Sequence, residues 1–155
     1  MYPKHRNVAI AIFFATIVAS YLLKLNFKDI ASESISIVSI ALAVYAISIS
    51  NLVGSNLAKA MKATPDKIIK SKTQLGVLKT YIQSAMKVAI STLVISCLAK
   101  LIPEQTKEFM MEVSEYKTVI EVISAIGFGL FMIDFLFIWL IFDFIINRQM
   151  SNDKE

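Results

Sequence analysis

Apolar and polar positions alternate along this chain in long blocks, not with the short period of a strand. Four apolar runs, Val8 to Leu23, Ile35 to Val53, Ser84 to Ile102 and Val122 to Ile146, are separated by charged segments. Each is near the ~20 residues a helix needs to cross ~30 Å of hydrocarbon. The pattern predicts an all-α polytopic membrane protein, with four transmembrane helices at about 8–23, 35–53, 84–102 and 122–146 in a single domain over residues 1–155. The connecting segments differ in sign. Eleven of the 16 Lys and Arg lie in the two tails or between residues 54 and 87, and only Lys24, Lys28, Lys100, Lys107 and Lys117 lie elsewhere. Cytoplasmic loops retain Lys and Arg, so both termini and a basic hairpin at 54–83 are expected inside, with residues 24–34 and 103–118 outside.

Composition agrees. A chain of 155 residues that is 56% hydrophobic and 18% charged is too apolar for an ordinary soluble domain and too short for a second one. The first run starts close to Met1 but is followed by no small-residue cleavage site, so it reads as a retained helix. Cys97 is the single cysteine and excludes an intrachain disulfide.

Within the runs, small residues recur at helical spacing: Ala11, Ala15 and Ala19 in the first, and Ser36, Ser39, Ala43, Ala46, Ser50 and Gly54 in the second. Such faces let helices or subunits approach closely in a solvent as apolar as their own side chains. The second stripe also suits the wall of a water-filled path. In the fourth run, Gly127 and Gly129 lie among six of the ten Phe, a composition for interlocked packing combined with a lipid-facing surface.

The segment between the second and third runs does not read as a tether. Asn56 to Lys62 can prolong the second helix, and Thr64-Pro65-Asp66 reads as a helix restart, with Thr as N-cap and Pro at the first position. Ile68, Leu75, Leu78, Ile82 and Met86 then form an apolar row. Lys59, Lys62, Lys67, Lys70, Lys72 and Lys79 make the hairpin strongly basic. Lysines there can meet anionic lipid or steer an acidic cytosolic protein. Direct nucleic-acid binding is disfavoured, since residues 54–87 contain no Arg and Tyr81 is their only aromatic side chain.

Two further features are polar. After Pro103, Glu104, Glu108, Glu112 and Glu115 share one edge of an expected outer helix, either a solvated face or a vestibule that gathers cations. In the fourth run, Asp134 stands 13 positions after Glu121, about 20 Å along the helix and near mid-bilayer. A carboxylate there is expensive and calls for a hydroxyl partner, with Ser91, Thr92 and Thr16 as candidates, or for its counterpart in a second subunit. It is either structural or a functional switch. Asp143 lies nearer the inner end, where it can pair with solvent, a lysine or Arg148.

Enzyme chemistry is not expected, nor is a metal site or a cofactor. His5 is the only histidine, so neither a Ser/His/Asp triad nor a histidine metal site can be assembled. Asp134 and Asp143 are nine residues apart, hence about 180° apart on one helix, and cannot act as a pair within a subunit. The layout of four spans, a lysine-rich hairpin, both termini inside and no soluble domain resembles the small four-helix membrane subunits of bacterial antiphage defence systems, notably of the Kiwa type. The similarity covers the whole chain and is one of architecture. It implies a homo-oligomeric, tetrameric sensor or scaffold in the bacterial inner membrane that works with a cytosolic DNA-binding partner. An oligomeric ion channel or holin-like pore is the alternative from another class.

Overall fold

The computed structural model describes residues 1–52, 54–101 and 114–152, with side chains other than those of 51, 52, 114–117 and 147–152. The described elements are α1 (Pro3–Leu22), a 3-10 helix (Phe27–Ile30), α2 (Ala31–Leu52), α3 (Asn56–Ala63), α4 (Gln74–Leu101) and α5 (Ser114–Asn152). Four stretches, Pro3–Leu22, Phe27–Ser50, Gln74–Leu101 and Thr118–Ile146, are long and apolar enough to span a membrane. They overlap the four apolar runs but each starts earlier, most of all at Phe27 and not Ile35 in the second and at Gln74 and not Ser84 in the third.

Helices α4 and α5 form the centre. Helix α1 packs on α5, α5 on α4, and α4 on α2, so the consecutive helices α1 and α2 each lean on a different central helix. The turn between them is tightly specified. Lys24 takes the left-handed conformation (φ 52°), which lets the Leu25 amide donate to the Ser20 carbonyl at 3.0 Å and the Lys24 amide to Tyr21 at 3.2 Å. This is a Schellman closure with a lysine where glycine is usual. Asn26 then caps the 3-10 helix, whose Phe27 is fully buried with Ala31 and Ala99 and packs edge-to-face on Phe128 at 5.3 Å.

Small residues work inside the chain at α5 and not at the stripes on α1 and α2. A Cβ on Gly127 would lie 2.5–2.8 Å from the Phe27 ring, and one on Gly129 would lie 2.8 Å from Phe13. Ala11, Ala15 and Ala19 are exposed, because α1 turns Ala9, Phe13, Ile17 and Ser20 inward. Ser36, Ser39, Ala43, Ala46 and Ser50 are likewise exposed, because the buried face of α2 is Ala31, Ser34, Val38, Ala41 and Tyr45. Neither stripe joins helices within the chain, and both remain as outer faces. A belt of large apolar side chains, including Phe14, Val18, Ile40, Ile47, Leu98 and Trp139, also points outward, each more than half exposed.

Phe27 seated on Gly127 makes the first prediction. Adding one methyl at this overpacked contact costs ~1–3 kcal/mol, so Gly127→Ala should lower the unfolding temperature in detergent. Pairing it with Phe27→Leu should recover part of the loss, which differential scanning fluorimetry would register.

Candidate functional site

The lysine-rich segment is a built cap. Gly54, at φ 79°, ends the path of α2, and the Ser55 hydroxyl accepts the Ala58 amide at 3.0 Å to start α3. Asn56 to Lys62 therefore form a separate helix and not a prolongation of α2, because a left-handed residue cannot continue a right-handed helix. Nor do Thr64-Pro65-Asp66 restart a helix. They form one side of a closed loop, in which Pro65 bridges Thr73, the Asp66 amide donates to Lys72 at 2.8 Å and the Gln74 amide to Thr64 at 3.1 Å. The cap of α4 is Thr73, whose hydroxyl accepts the Gly76 amide at 3.2 Å. Leu75, Leu78, Ile82 and Met86 keep their common face on α4, but Ile68 falls in the loop and is exposed.

Asp66 explains why the loop closes. Its side chain is 2% exposed. One carboxylate oxygen accepts the Ile68 and Ile69 amides at 2.9 and 2.7 Å, and the other accepts the Tyr2 hydroxyl at 2.6 Å. A buried carboxylate is tolerated when its lone pairs are met in this way. Tyr2 is anchored in turn, since its amide donates to the Tyr81 hydroxyl at 3.2 Å, which is itself 2.6 Å from His5 Nδ1. The three rings of Tyr2, His5 and Tyr81 meet edge-on at 5.4–5.9 Å. The start of α1 is thereby tied to both the loop and α4.

The charge consequence is direct. Asp66 is the only acidic residue between 54 and 87, and it faces inward. Lys59, Lys62, Lys67, Lys70, Lys72 and Lys79 are all exposed. The cap therefore presents six ammonium groups with no carboxylate of its own segment on the outside.

A second polar centre lies in the α4–α5 seam. Asp134 is 1% exposed and accepts the Thr92 hydroxyl at 2.6 Å. Of the three hydroxyls expected as partners, Thr92 reaches Asp134 while also lying 3.0 Å from the Val88 carbonyl, whereas Ser91 donates to the Lys87 carbonyl and Thr16 to the Ile12 carbonyl. One turn further along α4, Ser96 is paired with Ser34 of α2 at 3.1 Å, and beyond it Lys100 donates to Ser32 at 2.6 Å. Among the described residues, Asp134 Oδ1 and the buried Tyr45 hydroxyl have no hydrogen-bond partner. Tyr45 lies in the electrostatic field of Asp134. Asp143 is exposed and acts electrostatically on His5.

Glu104, Glu108 and Glu112 lie outside the described residues, as does the side chain of Glu115, whose backbone belongs to the first turn of α5. Sequence reasoning missed the roles of Tyr2, Tyr45, Asp66 and Phe27. The signal for Asp66 was its isolation, a lone acid in a lysine-rich segment. For Phe27 it was the set of small residues, Ala31, Ala99 and Gly127, that make room for one ring. Compared with protein families, curated proteins and solved structures, the chain matches none.

The seam predicts an asymmetry. Thr92→Val strips Asp134 of its donor and leaves a buried carboxyl unsatisfied, at a cost of ~1–3 kcal/mol. Asp134→Asn keeps a carbonyl for Thr92 to donate to and should cost less. Thermal unfolding of the two variants in the same detergent would show the order, and equal losses would contradict it.

Proposed function

We propose that the chain is a non-enzymatic, multi-pass membrane protein, with both termini and the lysine-rich cap on the cytoplasmic side. It acts as a homo-oligomeric sensor or scaffold and uses the cap to recruit an acidic cytosolic protein. The carrying observation is the cap itself: six exposed lysines held on a folded frame whose only acid is turned inward. A charge pattern fixed in advance gives steering and specificity without the ordering cost of a loose tether. The outward apolar belt supports membrane placement, since contiguous apolar surface of that extent is rare on soluble monomers. The two small-residue faces left outside suit subunit contacts. The cytosolic partner and the antiphage role follow from the architectural resemblance to Kiwa-type membrane subunits.

A conducting oligomer is the second reading, favoured by two buried oxygens without partners and by the serine-bearing outer face of α2. In this reading Asp134→Asn abolishes ion flux while the oligomer persists, whereas in the scaffold reading the wild-type oligomer shows no conductance in bilayers.

Topology is tested on a Cys97→Ser background by placing a cysteine at position 70. Reagents should reach it from the cytoplasmic side only, and labelling from outside would overturn the orientation. Partner capture from mild detergent should weaken with salt, as exposed charge pairs do. Lys67→Glu, Lys70→Glu and Lys72→Glu together should abolish it while leaving insertion and oligomer size unchanged. A partner retained by this triple variant would reduce those lysines to topology signals.

A further inference from the structure

The six lysines fall into two sets. Lys67, Lys70 and Lys72 stand on the loop, while Lys59, Lys62 and Lys79 rim a trough of about 720 Å³ between the end of α2, α3 and the start of α4. The floor of the trough is apolar, formed by Ile49, Ala58, Leu75, Leu78, Ile82 and Met86. Along α4 it runs from Leu75 to Met86, about 16 Å at ~1.5 Å per residue. Among the described residues no carboxylate lines it, and Ser55 and Gln83 supply neutral hydrogen-bonding groups.

We propose that this trough is a binding site for one acidic phospholipid, with an acyl chain along the α4 floor and the phosphate among Lys59, Lys62 and Lys79. Two features select the occupant. An anion without chains would leave the apolar floor uncovered, and a neutral lipid would leave three clustered ammonium groups without a counter-charge. The floor also continues into two membrane-spanning helices, through Ile49 of α2 and Ile82 and Met86 of α4, so it opens at the level where lipid is the solvent. The volume is in the range of sites that enclose small ligands. An amphipathic helix, ~10–12 Å across with its side chains, would exceed it after two turns. The site rests on the membrane placement proposed above and is independent of the cytosolic partner. Its lysines are distinct from those on the loop.

The test uses the full chain purified in detergent and given equimolar phosphatidylglycerol and phosphatidylcholine, with retained lipid read by native mass spectrometry. Wild type should keep one phosphatidylglycerol per subunit, about tenfold or more over phosphatidylcholine. Lys59→Gln, Lys62→Gln and Lys79→Gln together should lower that retention by up to about a hundredfold, from the typical contribution of a lysine beside an anionic headgroup. Gln83→Trp, at an exposed position on the trough wall, should reduce retention with every lysine in place. The loop set changed to Gln should retain lipid as wild type does, and glycerol 3-phosphate should not compete. Equal retention of the two lipids, or phosphatidylglycerol held undiminished by both the rim triple and Gln83→Trp, would overturn the site. So would a trough that takes up an acidic amphipathic peptide and no phospholipid. Flotation of the same protein with vesicles separates the premises: a chain that does not float removes the membrane placement itself, whereas one that floats without selectivity removes only the lipid site.

Discussion

A carboxyl group that is 1% exposed in the middle of an apolar helix must be met by a donor from a neighbouring helix. Thr92 meets that need for Asp134, and the requirement sets how α4 stands against α5. The hydrogen bond is short, at 2.6 Å, and sliding either helix by one residue would carry the hydroxyl out of reach. One turn along α4, the Ser96–Ser34 pair does the same for α2. Two hydroxyl residues of one helix thus set the positions of both its neighbours. Apolar contacts such as Phe137, Leu140 and Ile141 supply much of the contact area, but these are tolerant of slippage in a way that a directional bond is not.

The lysine-rich end obeys the same rule on a smaller scale. Asp66 takes up amides of its own loop and the hydroxyl of Tyr2. It organises a segment that would otherwise be a loose, self-repelling run of cations. One inward acid both fixes the loop and leaves residues 54–87 with no outward carboxylate. The division of the lysines between loop and trough follows from that closure together with the break at Gly54, which starts α3 as a separate helix packed on α4.

The four long helices were legible because runs of about twenty apolar residues admit few other structures. Thr92 was within reach of the same logic, since a buried acid restricts its partners to hydroxyls at the same depth. The small-residue stripes misled as to the contacts within the chain. Spacing shows that a face is smooth but not which neighbour it meets, and α1 and α2 turn those faces away from α5 and α4. The cap misled for a different reason. Thr-Pro-Asp fits a helix start by local propensity, but the bond from Tyr2 to Asp66 spans 64 residues, and a contact that long-range leaves no local signature. Phe27 was hidden likewise, because the residues that enclose it come from three parts of the chain.

Helix α1 rests on α5, the helix farthest from it in the chain. During synthesis the ribosome must add on the order of a hundred residues before that support exists, roughly ten seconds at common elongation rates. Asp66 and Tyr81, which hold the start of α1 through Tyr2 and His5, are made before α5, so this tie becomes available in the later part of the interval. From that point the tie constrains the start of the first helix before Gly129 is present to receive Phe13. A chain without it would have to bring α1 onto α5 with no contact restraining its start.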